Sequence, residues 1–131
     1  MVLPLVAAIA GCSGTINDIP TTPDPVSVTE TFSGNLNING AATHFVFPLA
    51  AGTVTATLTS LGEAAPSKVG FSLGTLSTTG TCTTVLFNDN AVVTTSLSGS
   101  VQTLQGGLCA RIYDVGVLTE TIPYTFTVTH F

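Results

Sequence analysis

The side chains best suited to chemistry are two histidines, His44 and His130, in a chain with many serines and threonines. A histidine can serve as a hydrolytic base when a nucleophile and an orienting acid lie beside it. We expect no nucleophile-elbow motif, Gly-x-Ser-x-Gly, to supply the nucleophile of such a trio. Each histidine stands next to a phenylalanine in an expected strand. We therefore predict solvent-facing strand histidines and no catalytic residue, and a hydrolase is the alternative.

A calcium site is the second kind of chemistry to consider. Asn88, Asp89 and Asn90 are adjacent, and the fold could bring Asp114 near them. Calcium takes about six to eight oxygen ligands, usually with several carboxylates among them. Turn formation is a simpler explanation, because Asn and Asp side chains cap their own backbone. We predict a turn at residues 88–90, no metal site and no cofactor.

The N-terminus carries the strongest signal for a modification. Residues 1–10 form an apolar run that is too short to span a bilayer, which needs about 20 residues, and that suits a secretory signal. Ile9-Ala10-Gly11-Cys12 resembles the bacterial lipobox, in which the cysteine is acylated and the preceding signal peptide is removed. We predict a signal peptide at residues 1–11 and lipidation of Cys12. No Lys or Arg precedes Cys12, and a buried first strand or helix is the alternative.

Residues 12–26 contain three prolines among polar residues and have no hydrophobic periodicity. They are predicted to be a tether that holds the following domain up to roughly 40 Å from the membrane surface. Ser13, directly after the lipidated cysteine, is compatible with the outer membrane in a bacterium that has one. The predicted location is therefore the bacterial cell envelope, with lipid on Cys12 as the contact with the membrane.

Two cysteines remain once Cys12 is assigned to lipid, and we predict that Cys82 and Cys109 form a disulfide. An even number of cysteines in an exported chain favours pairing. Closing this loop would stabilise the fold by roughly 3 to 4 kcal/mol. Two buried free thiols are the alternative, and metal ligation is disfavoured because no histidine cluster or second cysteine pair lies nearby.

The composition indicates a single all-β domain without affinity for nucleic acid. The chain has 131 residues, of which only 7% are charged, and its formal net charge is -5. Phosphate backbones need Lys and Arg to neutralise them, so nucleic acid is excluded as a partner. Threonine is the most abundant residue, with 24 copies. Because threonine is β-branched and neutral, it suits the exposed face of a sheet, where hydroxyls rather than ions would keep the chain soluble.

Apolar and polar residues alternate with period two over most of residues 27–131, which is typical of strands with one buried face. The clearest case is the segment 53–59, where Val54, Ala56 and Leu58 alternate with threonines. About eight short strands at this spacing predict an antiparallel β-sandwich or jelly roll. The expected strands are 29–36, 43–49, 53–59, 69–76, 84–87, 93–101, 108–113 and 124–129.

Three short motifs resemble, in order, the bacterial pre-peptidase C-terminal domain: Thr31-Phe32-Ser33-Gly34-Asn35-Leu36, His44-Phe45-Val46-Phe47 and Gly107-Leu108-Cys109-Ala110-Arg111-Ile112-Tyr113-Asp114-Val115-Gly116. The resemblance covers most of residues 29–130 and implies a jelly roll that aids secretion or stability or binds polymers such as collagen or polysaccharide. Some relatives bind calcium through acidic residues. Because Ala41 and Thr43 occupy the matching positions here, calcium binding is not carried over.

These expectations converge on a non-catalytic binding module for an extracellular polymer, such as a polysaccharide, or for an envelope or extracellular protein. A structural envelope lipoprotein with no dedicated ligand is the alternative. Arg111 is expected to pair with an acidic neighbour or to cover the sheet with its stem. Tyr113 is expected to anchor a corner of the sandwich, or else to offer its ring to a sugar. The absence of tryptophan weakens the sugar hypothesis.

Overall fold

The protein is described by a computed structural model that covers residues 25–102 and 106–131. The predicted signal peptide, Cys12 and most of the predicted tether lie outside these residues. The described part contains no helix that could cross a membrane. Its eight strands are β1 (Val28–Leu36), β2 (Ala41–Val46), β3 (Gly52–Ser60), β4 (Val69–Leu76), β5 (Cys82–Ala91), β6 (Ser96–Val101), β7 (Gly107–Tyr113) and β8 (Ile122–His130).

The strands form two four-stranded antiparallel sheets, with the orders β1-β8-β3-β6 and β2-β7-β4-β5. Apart from the β4–β5 hairpin, each strand is followed by a strand of the other sheet. This connectivity is a jelly roll, which closes two sheets over one core. The predicted fold class is confirmed, and each of the eight predicted segments overlaps an observed strand.

The core lies between the sheets and is built from one side of each strand. In β8, Tyr124, Phe126 and Val128 face inward, and Phe126 is completely buried. The inward residues of β3 meet them from the neighbouring strand. The largest fully buried side chains are Phe71, Phe126, Leu36, Leu58, Leu61, Ile112, Ile122, Val46, Val54, Val69 and Val128.

The outer side of the β1-β8-β3-β6 sheet is covered by hydroxyls that bond across the strands. Four side-chain pairs lie within hydrogen-bond distance, at 2.7 to 3.0 Å: Thr29 with Thr129, Ser33 with Thr125, Thr55 with Ser98, and Thr57 with Ser96. Each pair couples a threonine or serine on one strand to its neighbour, as expected for cross-strand pairs. We call this surface the hydroxyl face, and it agrees with the prediction that hydroxyls replace ions on the surface.

Two strand ends differ from the predicted ones for reasons of backbone geometry. Strand β2 ends at Val46 rather than at residue 49, and Pro48, which has no N–H to donate, follows closely. The next N–H groups, of Leu49 and Ala50, both donate to the carbonyl of Phe131. Strand β6 begins at Ser96 rather than at residue 93, because Thr94 has a φ of 87°, which turns the chain.

The predicted turn at residues 88–90 is wrong, since these residues lie inside β5. Val69 pairs with Ala91 and Phe71 pairs with Asn88, so β5 carries one more residue than β4 between these two pairs. The extra residue makes a β-bulge. Asn88 does cap its own backbone, because its side-chain oxygen accepts a hydrogen bond from the N–H of Asn90 at 2.8 Å. The local chemistry was expected, but the pairing partner β4 keeps the segment extended.

Cys82 and Cys109 form the predicted disulfide, with their Cα atoms 6.1 Å apart. The bond joins β5 to β7, the two strands that flank β4. It lies where the backbone of Thr83 passes so close to Gly74 of β4 that a methyl group on Gly74 would collide with the Thr83 carbonyl. Glycine is therefore required at position 74 by the close approach of another backbone.

Candidate functional site

The outer side of the β2-β7-β4-β5 sheet is the candidate functional site, because it carries exposed phenylalanines. Alternation in β2 buries Val46 and turns Phe45 outward, where 48% of its surface is exposed. Phe47 continues on the same side, with its ring over Gly107, and is 59% exposed. Phe87 on β5 is 63% exposed. We call this surface, with Tyr113 on β7, the aromatic face.

A depression of about 220 Å³ lies within the aromatic face. Its lining residues come from all four strands and are Thr43, Ser72, Gly74, Cys82, Thr83, Thr84, Cys109 and Arg111. The strand register places Phe45 beside Cys109 and Phe87 beside Ser72, so exposed aromatic rings border the depression on two sides. The lining combines hydroxyls, one guanidinium and the disulfide, with no carboxylate or histidine.

The expectation that the sequence holds no nucleophile-elbow motif is wrong, since Gly70-Phe71-Ser72-Leu73-Gly74 matches the Gly-x-Ser-x-Gly pattern of hydrolase nucleophiles. In those enzymes the serine stands on a sharp turn between a strand and a helix, whereas Ser72 lies in the middle of β4. Both glycines are required at their positions for reasons unrelated to catalysis. Gly74 accommodates the Thr83 backbone, and Gly70 accommodates the Tyr113 ring. Ser72 is a buried hydroxyl in the depression, where no histidine joins it.

Arg111 and Tyr113 form one ordered unit on the aromatic face. The Arg111 guanidinium carbon lies 5.4 Å from the centre of the Tyr113 ring, a cation–π geometry. The Tyr113 hydroxyl donates to the Asp89 carboxylate. Burial and this hydrogen bond raise the pKa of Tyr113 to about 12. Tyr113 thus links β7 to Asp89 of β5, with its ring over Gly70 of β4. The predicted acidic partner of Arg111 is absent among residues 25–102 and 106–131, where the basic side chain that contacts a carboxylate is His130, beside Glu30.

The prediction that both histidines face solvent is wrong. His130 follows Val128 on the inner side of β8 and is 5% exposed, and its Nε2 lies 2.6 Å from the Glu30 carboxylate. His44 is half-buried on the inner side of β2, with its Nε2 2.7 Å from the Tyr124 hydroxyl. Strand alternation decides both orientations, because Val46 and Val128 share those inward sides. Neither histidine belongs to the aromatic face.

Burial lowers the pKa of His44 below its usual 6.5. His44 therefore binds a proton less readily in the folded protein than in the unfolded chain. Its contribution to the free energy of unfolding is fully present above pH 6.5 and is lost as the pH falls below that value. We expect the melting temperature to fall more steeply between pH 7.5 and pH 5.5 in the wild type than in H44Q, which keeps a hydrogen-bonding group near Tyr124. All other titratable groups are present in both proteins, so the comparison isolates the effect of residue 44. Parallel melting curves would exclude this role for His44.

The carboxylate of Asp114 has a structural role in holding two loops. Its Oδ2 accepts a hydrogen bond from the N–H of Asn39, and its Oδ1 accepts from the N–H groups of Gly116, Val117 and Leu118, at 2.8 to 3.2 Å. The bond from Asn39, with the other three, lowers the pKa of Asp114. Asp89 accepts from Tyr113, as described above. The described residues contain no cluster of three His, Cys, Asp or Glu side chains that could hold a metal ion.

A larger apolar cleft, of about 480 Å³, lies between the sheets at their β5 and β6 edges. Its lining includes Leu73, Leu86 and Val101. Gln102 and Gly106 also line it, and they bracket residues 103–105, which the structure does not describe. The smaller depression differs in chemistry, because it combines hydroxyls and the Arg111 guanidinium with bordering aromatic rings.

Comparisons with known proteins support the fold but identify no family for this chain. No family model matches the chain, and no curated protein is similar to it in sequence. The mitogen from Yersinia pseudotuberculosis superposes with a TM-score of 0.63 at 14% identity, over 81% of this chain and 88% of its own. PliG of Aeromonas hydrophila, a periplasmic inhibitor of g-type lysozyme, gives 0.50 at 12%, over 84% and 92%. A disulfide-linked pilus protein of Bacillus endospore appendages gives 0.41 at 15%, over 86% and 95%.

At these identities the likenesses to the mitogen and the inhibitor show a shared β-sandwich only. The disulfide is the more direct indication of where the chain folds, since disulfides persist outside the reducing cytosol. It indicates an envelope or secreted location. The class that fold and site define is thus an exported, disulfide-bonded jelly roll with one aromatic and one hydroxyl-covered outer surface.

Proposed function

We propose that this protein is a non-catalytic binding module of the bacterial cell envelope, and that it docks on an envelope or extracellular protein through the aromatic face. The observation that carries the proposal is the difference between the two outer surfaces. The hydroxyl face shows that this chain can cover a sheet with polar groups. On the aromatic face, Phe45, Phe47 and Phe87 are instead about half exposed or more, which leaves apolar surface in water. Grouped exposed apolar residues mark interaction sites.

The side-chain chemistry of the aromatic face favours a protein partner over a polysaccharide. Aromatic residues and arginine are enriched at protein interfaces, where they supply most of the binding energy. Phenylalanine cannot donate or accept the hydrogen bonds with which tyrosine and tryptophan hold the edge of a sugar. Tyr113, which could do so, already donates its hydroxyl to Asp89. A polymer ligand remains the second candidate because of the resemblance to the pre-peptidase C-terminal domain, which stays a prediction.

A tether at the N-terminus fits this use of the aromatic face. The tether leads into β1, which belongs to the sheet that bears the hydroxyl face. A membrane attachment ahead of β1 would therefore enter the domain at the sheet that does not bear the aromatic face. The disulfide agrees with export, and lipid on Cys12 would hold the module at the membrane while its partner binds.

The tether is tested by replacing the cysteine. We expect Cys12→Ser to move the protein from the membrane fraction to the soluble fraction, because a single hydroxyl cannot carry the lipid that anchors the chain. Cys82→Ser serves as the matched control, since it makes the same replacement at a disulfide-bonded cysteine outside the proposed lipobox. It should destabilise the fold but leave membrane fractionation unchanged. Membrane association that persists in the Cys12→Ser protein would rule out the lipid anchor.

The docking face is tested by site-specific photocrosslinking in living cells. A photoreactive phenylalanine analogue is placed at position 45 or 87, and at position 57 on the hydroxyl face as control. We expect one crosslinked protein to appear from positions 45 and 87 and to be absent from position 57. Equal crosslinking from all three positions would contradict a specific face. Failure of positions 45 and 87 with glycan-array binding that survives salt would favour the polymer ligand, and failure of both would favour a structural lipoprotein.

A further inference from the structure

Arg111 is the cation that the depression on the aromatic face offers to a ligand. The chain has two basic residues, and the other one, Lys68, donates to the side-chain oxygen of Asn90 at 3.3 Å. Arg111 is exposed and forms no ion pair among residues 25–102 and 106–131. Its guanidinium is positioned by the Tyr113 ring rather than by a carboxylate. An arginine held by stacking keeps its planar set of N–H donors for another group.

The surroundings of Arg111 suit an anionic group. Arg111 lines the depression together with the hydroxyl-bearing Thr43, Ser72 and Thr84, and no carboxylate lines it. The nearby Asp89 carboxylate accepts the Tyr113 hydroxyl outside the depression. A guanidinium fork matches a carboxylate with two parallel hydrogen bonds, and hydroxyls can donate further ones. The volume of about 220 Å³ accommodates a group the size of one acidic side chain.

The charge and the borders of this surface limit which groups can flank a carboxylate bound by Arg111. The chain carries a net charge of -5, which disfavours an approaching polyanion. The borders of the depression are the apolar rings of Phe45 and Phe87. A single carboxylate flanked by apolar groups therefore fits this surface, whereas a run of acidic residues or a polyuronic acid does not.

We propose that the depression is a subsite for one carboxylate of the protein partner, an Asp or Glu side chain that binds Arg111 while its apolar neighbours cover Phe45 and Phe87. This inference rests on the proposed docking function, and it specifies which chemical group of the partner enters the depression on the aromatic face. It assigns Arg111 to ligand binding and Tyr113 to positioning, because Tyr113 holds the guanidinium in place without contacting the ligand.

The subsite is tested without the partner by NMR titration of the purified protein with N-acetyl-L-glutamate N-methylamide, whose side chain carries the single carboxylate. We expect saturable shifts of the Arg111, Ser72 and Thr84 signals, and no such shifts with the corresponding N-acetyl-L-glutamine N-methylamide, which carries no carboxylate. A charged hydrogen bond contributes about 1.5 to 3 kcal/mol, so R111Q should weaken binding by about tenfold or more. R111K keeps the positive charge but loses the planar pair of N–H donors, so its affinity should lie between those of the wild type and R111Q. Equal shifts with both compounds, or unchanged binding in R111Q, would overturn the subsite.

Failure of this inference differs from failure of the docking function. The crosslinking from position 45 is repeated in R111Q, whose melting temperature confirms folding. About a tenfold loss of the crosslinked product supports the carboxylate subsite. An undiminished product overturns the subsite and leaves the docking function standing. No product from positions 45 and 87 in the wild type would refute the docking function, and the glutamate titration then still decides whether Arg111 binds a carboxylate.

Discussion

Replacing both Cys82 and Cys109 with alanine is expected to lower the free energy of unfolding by about 3 to 4 kcal/mol, and the melting temperature by about 15 °C or more. The two cysteines are 27 residues apart in sequence, so the bond removes much of the freedom of the unfolded chain. In the native state it also joins the edge strand β5 to the inner strand β7. Chemical denaturation of the purified oxidised protein and of the double variant measures the difference.

A glycine substitution tests whether the disulfide holds the start of β5 against β4, in addition to stabilising the whole fold. Gly74→Ala places a methyl group against the Thr83 carbonyl, one residue after Cys82. We expect it to cost about 1 to 3 kcal/mol in the oxidised protein, as overpacking does. The cost should be smaller when the disulfide is absent, because the start of β5 can then move away. Equal costs in the two backgrounds would show that the disulfide does not hold β5 against Gly74.

Phe126→Ala is expected to cost about 3 to 5 kcal/mol, which is much of the stability of a domain of this size. Phe126 is completely buried in β8. The centres of the rings of Phe32, Phe71 and His44 lie 5.3 to 5.4 Å from its own. Removing the ring leaves a cavity that both sheets border. Urea denaturation gives the loss, and Phe126→Leu, which refills part of the space, should recover a large share of it.

Phe87→Ala is the matched comparison, because the same substitution is made at a phenylalanine that is 63% exposed. We expect its unfolding free energy to change by no more than about 0.5 kcal/mol. Such a result would mean that Phe87 contributes little to the fold and would agree with its assignment to the docking face. A loss comparable to that of Phe126→Ala would contradict that assignment.

Strand existence was predictable because the period-two pattern is a local property of the sequence. Thr53 to Thr59 alternate so regularly that the buried side of β3 follows directly from the sequence. In residues 43–47 the pattern is ambiguous, because Phe45, Val46 and Phe47 are all apolar. Either side of that segment could have faced the core. The aromatic face was therefore not foreseen, and the outward position of Phe45 depends on pairing with β7.

The glycines show the same division between local and tertiary causes. Asn39-Gly40 indicates a turn from its own backbone preferences, and Asn39 has the expected positive φ of 57°. Gly70 and Gly74, by contrast, stand within β4 for reasons that no local rule supplies. Each makes room for a group that is distant in sequence, the Tyr113 ring and the Thr83 backbone respectively. Their coincidence with a hydrolase pattern around Ser72 could be interpreted only once these contacts were known.

The sequence by itself determined the all-β class, the eight strands and the pairing of Cys82 with Cys109. It also determined that the outer surface of a sheet would be covered by threonine hydroxyls rather than by charged groups. These features depend on residue type and on short-range periodicity. Only the tertiary structure decided which side of each ambiguous strand faces the core, and hence that both histidines point inward while Phe45 and Phe87 point outward. It also decided that Arg111 rests on Tyr113 beside a depression. Such contacts join residues far apart in the chain, and only the packing of one strand against another brings them together.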